Sequence, residues 1–145
     1  MPTYRTGNMW DVFEGIDYFV ITTNAVIKNN GAVVMGAGIA KQVRDNWPGV
    51  DVQLGKAISR MGGGAYGYIQ GSKLGIFQVK YHYKDLASLE LIKHSAEMLA
   101  KHARAYPHHD YALNFPGIGN GKLNRADVEP LLSILPKNVQ VWTFQ

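Results

Sequence analysis

The sequence predicts a single α/β domain with a largely parallel central sheet. Apolar, β-branched runs typical of buried strands alternate with segments of helical spacing, and such alternation favours parallel strands joined by helices. The chain has 145 residues, of which 46% are hydrophobic and 18% charged, a composition that suits one domain with its own core. No internal repeat, linker or low-complexity tract divides the sequence, so we expect one domain over residues 1–145.

The first half of the chain contains a predicted strand, two helices and a hairpin. Residues 18–23 are apolar and rich in β-branched side chains, which predicts a buried strand. Apolar residues at helical spacing predict a helix over 37–47 and a second, short helix over 52–61. Two apolar segments, 65–69 and 74–79, flank a short turn with glycine, which is the pattern of a β-hairpin.

The second half of the chain alternates again between helices and strands. The predicted elements are a long helix over 89–103, a strand over 111–115, a short helix over about 124–135 and a last strand over 139–144. Asp85 or Ser88 is placed to cap the long helix, because either side chain could accept a hydrogen bond from a backbone N–H of its first turn.

Two glycine-rich loops follow predicted strands: the first glycine loop covers residues 35–40 and the second covers 115–121. In open α/β sheets, ligands bind outside the carboxyl ends of the strands. Glycine there lets the backbone approach a phosphate, and the free N–H groups at a helix start attract the anion. Either loop alone is more often a plain turn, but the two facing each other would clamp a diphosphate. Asn24 adds a polar group at the end of its strand.

The sequence also excludes several other kinds of site. The chain has no cysteine, which rules out disulfides, thiolate metal ligands and a cysteine nucleophile. Neither glycine loop is a P-loop or a dinucleotide-binding fingerprint. The histidines have no zinc-site spacing, so we expect neither a metal nor a cofactor. His94 and His102, two turns apart on the predicted long helix, are expected to face solvent.

Charge and hydropathy restrict the partners only loosely. No apolar run approaches the ~20 residues that a membrane span needs, and the N-terminus lacks a signal-peptide core, so we expect a cytoplasmic protein without a membrane partner. The net charge of +4 comes from scattered residues and is an ordinary solubility charge. Tyr66, Tyr68, Tyr81 and Tyr83 could stack nucleic-acid bases, although alternate tyrosines in strands are more typical of sheet packing.

Several segments, in this order, resemble the macrodomain family. They are residues 7–10 followed by 17–25, residues 35–40 and residues 116–121, and the similarity runs from about residue 6 to residue 144. The first glycine loop has the form seen in the branch of terminal ADP-ribose protein glycohydrolase, and segment 77–83 resembles the DNA ADP-ribosyl glycohydrolase antitoxins. The resemblance implies a three-layer α/β/α macrodomain with a mixed, largely parallel central sheet.

The resemblance also implies a binding site for ADP-ribose. Asn8 and Met9 would meet the adenine, and Asn24 would bond the hydroxyls of the distal ribose. The two glycine loops would hold the diphosphate through Gly36, Ala37, Gly38, Ile39, Gly117, Ile118, Gly119, Asn120 and Gly121. Lys80 falls on a lysine proposed to be catalytic in the antitoxins, so Lys80 and Asn24 are the expected catalytic residues. Lys80 would attack the anomeric carbon or stabilise charge there. The alternative is a solvated lysine leaving an edge strand.

Two departures from the family pattern leave three functions open. Asn8 stands where the family usually has aspartate. Asn124 stands where the glycohydrolase branch has an acid, and a neutral amide cannot act as a base. Asp127 lies nearby but on the predicted helix. We expect ADP-ribose binding and removal of ADP-ribose from nucleic acid or protein, with an ADP-ribose 1″-phosphate phosphatase or a non-catalytic reader as alternatives. The expected partner is ADP-ribose or an ADP-ribosylated nucleic acid or protein, bound by a monomer.

Overall fold

The computed structural model describes residues 1–60 and 66–144, and these residues form a six-stranded sheet with helices on both faces. The strands are β1 (Thr3–Thr6), β2 (Tyr18–Asn24), β3 (Tyr68–Gln70), β4 (Leu74–Lys80), β5 (Tyr111–Asn114) and β6 (Val139–Thr143). The α-helices are α1 (Gly38–Asn46), α2 (Val50–Ser59), α3 (Leu89–Ala105) and α4 (Arg125–Leu132), and a 3₁₀ helix covers Met9–Val12. The predicted α/β fold is confirmed.

The sheet has the strand order β1-β6-β5-β2-β4-β3 and is parallel except for the β3–β4 pair. After β2 the chain turns toward β4 and β3, whereas after β5 it turns toward β6. Because the connections from these two neighbouring strands run in opposite directions, a crevice opens at their carboxyl ends, and ligands of open α/β sheets bind in such a crevice. Both glycine loops begin beside it.

Two hydrophobic clusters, one on each face of the sheet, hold the three layers together. One cluster joins α1 and α2 to the sheet through Phe19, Ile21, Val43, Leu54, Ile58 and Ile76. The other joins α3 and α4 to the opposite face through Val20, Phe77, Ile92, Leu99, Leu113, Val128 and Leu132. Each fully buried side chain of this kind contributes about 1.5–3 kcal/mol to folding. The predicted three-layer arrangement is therefore confirmed.

The predicted hairpin is confirmed as the antiparallel β3–β4 pair, but its first strand is shorter than predicted. Gly67 has a φ of +131°, a conformation that residues with side chains rarely adopt, and the strand begins only after it, at Tyr68. Met61 and Ala65, at the ends of a predicted helix and a predicted strand, lie outside the described residues.

The sequence patterns predict neither β1 nor the 3₁₀ helix. Strand β1 has only four residues and pairs with β6 at the edge of the sheet, and its Arg5 and Thr6 are exposed. A short edge strand with polar residues carries little of the alternation that identifies a strand in a sequence.

The long helix α3 begins after Ser88, whose Oγ accepts a hydrogen bond from Leu91 N at 3.2 Å. Ser88, and not Asp85, is therefore the cap of the two candidates. In the part of the chain that the structure describes, no helix has the length and the apolar character needed to cross a membrane.

Candidate functional site

A cavity of about 590 Å³ lies at the carboxyl ends of β2 and β5. Its volume is within the ~300–1,000 Å³ typical of small-molecule sites. Among the residues that line it are ten of the predicted site residues: Asn24, Gly36, Ala37, Gly38, Ile39, Lys80, Gly117, Gly119, Asn120 and Gly121. The fold thus brings both glycine loops to one cavity, together with the two residues expected to be catalytic.

The first glycine loop leads into the exposed start of α1. Helix α1 begins at Gly38, and its N-cap, Ala37, is extended; no side chain within residues 1–60 and 66–144 caps this end. The first N–H groups of a helix have no partner within the helix, and the helix dipole places partial positive charge there. This end of α1 borders the cavity and is suited to bind an anion.

The glycines of the two loops serve two different needs. Gly117 has a φ of +80°, and a Cβ on Gly121 would lie 2.6 Å from the carbonyl oxygen of Gly117, so the fold itself requires both glycines. Gly36 and Gly119 have no positive φ, and a Cβ on either would meet no described atom within 4 Å. Both line the cavity, so the space that their missing side chains leave is open to a ligand.

Asn24, at the end of β2, uses its side-chain amide to hold the segment that precedes the first glycine loop. Its Nδ2 donates to Val34 O at 2.9 Å, and its Oδ1 accepts from Val26 N, also at 2.9 Å. Ile27 and Val33 form an antiparallel bridge inside these two contacts. The Asn24 side chain therefore fixes both ends of segment 26–34 and, through Val34, the start of the loop.

Lys80 ends β4, an interior strand, beside an irregularity in the sheet. The pairing of β2 with β4 shifts register between Thr23 and Asn24, so that Asn24 pairs with Lys80. Such bulges re-aim side chains, often next to active sites. Lys80 Nζ donates to Asp85 O at 3.2 Å and to Asn120 O at 3.5 Å, which ties the segment after β4 to the second glycine loop. Lys80 thus lines the cavity, and its strand lies in the interior of the sheet and not at the edge.

Asn114, at the end of β5, and Thr22 of β2 form a pair that the sequence analysis missed. Backbone pairing of the two strands ends at Val20 and Leu113. Beyond that point Asn114 Oδ1 accepts from Thr22 N at 3.0 Å, and Asn114 Nδ2 donates to Thr22 Oγ1 at 2.7 Å. This side chain joins the strands where they separate to form the cavity. The sequence does contain an indication of this pair, because an asparagine lies at or next to the end of each of the two predicted strands.

Three predicted site residues do not line the cavity. Asn8 Oδ1 accepts from Trp10 N at 3.0 Å and caps the 3₁₀ helix, while Met9 is buried in the core. Ile118 is half-buried against the α3–α4 side of the core. Asn8 and Met9 remain predicted contacts for a ligand that extends beyond the cavity.

The positions expected to supply an acid lie outside the cavity. Asn124 is exposed at the start of α4, and Asp127 is exposed in its first turn. Among the described residues, no carboxylate lines the cavity, and Lys80 is the one lining residue that carries a charge. The described residues also contain no group of three potential metal ligands.

Tyr83 places an exposed aromatic ring at the cavity. Tyr83 lines it and stacks on His82, with ring centres 4.2 Å apart. Tyr81 contacts Tyr66 edge-to-face at 4.9 Å, and both rings are exposed. Of the four tyrosines in the sequence pattern, Tyr68 alone is buried in the sheet. Sheet packing therefore explains Tyr68 but not the other three.

Three groups with shifted pKa values, on β3, β5 and α3, do not line the cavity. Burial raises the pKa of Tyr68 and of Tyr111, and it lowers the pKa of His102. His102 Nδ1 lies 2.6 Å from Tyr111 Oη, so this histidine is half-buried and not free in solvent as predicted. Tyr111 starts β5, whereas the cavity lies at the carboxyl end of that strand. These shifts belong to packing and not to the candidate site.

Solved structures with a similar fold include macrodomains. The Thermosipho africanus DarTG protein, solved in complex with ADP-ribose, matches 99% of this chain with 19% identity and a TM-score of 0.76, and the chain spans 42% of that longer chain. The macrodomain of Thermus aquaticus DarG matches 100% of this chain and 98% of its own, with 24% identity and a TM-score of 0.73. The macrodomain of Mycobacterium tuberculosis DarG matches 98% of this chain and 97% of its own, with 25% identity and a TM-score of 0.69. No protein-family model and no curated protein matches the chain.

Proposed function

We propose that this chain, which has the macrodomain fold of the DarG branch, binds ADP-ribose in the cavity between its two glycine loops. The observation that carries the proposal is the placement of Gly36, Gly119 and the uncapped start of α1 around one cavity. The fold requires a glycine at neither position 36 nor position 119, and both open toward the place where an anion would sit. One of the structurally similar proteins was solved with ADP-ribose bound.

In the proposed complex the diphosphate lies between the two loops and receives backbone N–H groups from both. The distal ribose lies toward Asn24 and Lys80, and the adenine lies toward Asn8 and Met9. Because the last two residues are outside the cavity, the adenine is expected to rest on the surface beside it.

We further propose that the chain is an ADP-ribosyl hydrolase in which Lys80 carries the chemistry. Two backbone carbonyl oxygens orient its ammonium group at the wall of the cavity. After losing a proton, its amine could attack the anomeric carbon and displace the base or carboxylate of the substrate, and water would then release ADP-ribose. Alternatively, the ammonium group could stabilise charge that develops during cleavage. The absence of a carboxylate from the described lining favours the alternative, a reader that binds ADP-ribose without cleaving it.

The exposed ring of Tyr83 at the cavity supports an ADP-ribosylated nucleic acid as the substrate of the hydrolase. Tyr83 lines the cavity and stacks on His82, and the exposed rings of Tyr81 and Tyr66 contact each other. Exposed aromatic rings hold unpaired bases by stacking, and each base contributes about 1–3 kcal/mol. A base that carries ADP-ribose in the cavity would have its neighbours close to these rings.

Two measurements test the proposal. Calorimetry should show micromolar-class binding of ADP-ribose, roughly −8 kcal/mol, and weaker binding of ADP, which lacks the distal ribose. Incubation with ADP-ribosylated DNA, a protein ADP-ribosylated on carboxylates and ADP-ribose 1″-phosphate should consume the first of these substrates. Binding without consumption of any of the three would identify a reader. No binding of ADP-ribose by the folded protein would refute the proposed function.

A further inference from the structure

Thr23 of β2 carries a buried hydroxyl in the wall of the cavity. The residue is 5% exposed, and its Oγ1 has no hydrogen-bond partner among residues 1–60 and 66–144. Two other buried side-chain atoms in those residues lack a partner, Tyr4 Oη and His109 Nδ1, and neither residue lines the cavity. A buried polar group without a partner is destabilising, and folded proteins keep few of them. The Thr23 hydroxyl therefore retains a hydrogen-bonding capacity that no residue in these two ranges uses.

The direction of the Thr23 side chain follows from the alternation along β2. Phe19 and Ile21 point to the face of the sheet where they pack with Met35 and Ala40. Side chains two residues apart in a strand share a face, so Thr23 lies on this face as well. Met35 and Ala40 are the two ends of the first glycine loop, and both line the cavity. The Thr23 hydroxyl thus lies on the side of the first glycine loop and the start of α1.

We propose that Thr23 is a ligand-binding residue whose hydroxyl donates a hydrogen bond to the diphosphate of ADP-ribose; this inference rests on the proposed function. The start of α1 is the part of the cavity wall suited to bind an anion, and an O–H group beside an anion acts as a donor. The neighbouring hydroxyl of Thr22 provides the contrast. It accepts from Asn114 Nδ2 at 2.7 Å and so already has a partner in the chain.

Thr23→Val tests the proposal because it removes the hydroxyl and keeps the branched shape. The dissociation constants of ADP-ribose and of ADP should both rise roughly 10-fold to 100-fold, which is the effect of losing one hydrogen bond to a charged group. Thr23→Ser should restore both affinities. The melting temperature of Thr23→Val without ligand should equal or exceed that of the wild type. Thr22→Val, which removes a partnered hydroxyl, should melt at a lower temperature than the wild type.

The outcomes separate this inference from the proposed function. Wild-type protein that fails to bind ADP-ribose refutes the proposed function and the inference with it. Wild-type binding that Thr23→Val leaves unchanged refutes the inference alone. A loss confined to ADP-ribose, with ADP unaffected, would assign the hydroxyl to the distal ribose and overturn the diphosphate contact. A lower melting temperature for Thr23→Val would show that the hydroxyl stabilises the fold, which also contradicts the proposal.

Discussion

Substituting Gly119 by valine should abolish ADP-ribose binding and leave the fold intact. A Cβ at this position meets no described atom within 4 Å, and Gly119 does not have a positive φ. The free energy of unfolding should therefore change by less than about 0.5 kcal/mol, as for other surface substitutions. The added isopropyl group occupies the space through which the second glycine loop would approach a phosphate. We expect the dissociation constant to rise at least 100-fold, about 2.8 kcal/mol.

Two further glycine variants make the measurement decisive. Gly15 is also exposed, lacks a positive φ and has no described atom within 4 Å of an added Cβ, but it does not line the cavity. Gly15→Val should therefore bind ADP-ribose as the wild type does. Gly121→Ala places a Cβ 2.6 Å from Gly117 O and should lower the free energy of unfolding by about 1–3 kcal/mol. Calorimetry and thermal melts measure both effects. Wild-type affinity in Gly119→Val would show that the second glycine loop is only a turn.

Three further predictions concern chemistry and pH. Lys80→Ala should keep ADP-ribose affinity within a few-fold and lose turnover by orders of magnitude. Lys84 is exposed and does not line the cavity, so Lys84→Ala should change neither. Equal turnover by Lys80→Ala and wild type would refute the catalytic assignment. Asn124→Asp should raise turnover if an acid is limiting, measured on the same substrates, and unchanged turnover would show that the exposed start of α4 does not take part. Because burial, with a smaller effect of nearby His109, lowers the pKa of His102 in the folded chain, folding favours its neutral form. The stability that this residue contributes is present above about pH 6.5 and declines as the pH falls below it, so His102→Gln should reduce the loss of melting temperature between pH 7.5 and 5.5. An unchanged loss would contradict this attribution.

The sequence patterns predicted those parts of the fold in which burial dictates residue type. Strands β2, β5 and β6 are buried, and their runs of apolar residues identify them directly. In the edge strand β1, burial does not dictate the residue types, because its exposed positions can be polar and its pairing with β6 is made by the backbone. The position of His102 was also not predictable from local sequence patterns. Its contact with Tyr111 depends on how α3 lies on the sheet, which the periodicity of one helix does not contain.

The candidate site was predictable from its backbone and less so from its side chains. Glycine loops at the ends of strands are visible in a sequence, and both loops border the cavity. The pair of Thr22 with Asn114 joins residues 92 positions apart, so only the order of the strands brings it together. The Thr23 hydroxyl has no hydrogen-bond partner among the described residues because of how the chain packs around it, and no sequence pattern predicts that packing.

The two asparagines that end β2 and β5 have a structural role at the cavity. The Asn24 amide forms hydrogen bonds with Val26 and Val34, and the Asn114 amide forms hydrogen bonds with Thr22. Both side chains therefore stabilise the strand ends from which the glycine loops extend. The surface left for a ligand then consists of backbone together with a few polar side chains, those of Thr23, Lys80, Tyr83 and Asn120. Backbone N–H groups hold a diphosphate but cannot exchange protons with a substrate during cleavage. In the proposed hydrolase, binding is spread over many groups whereas catalysis depends on Lys80, and for this reason a Lys80 variant should separate affinity from turnover.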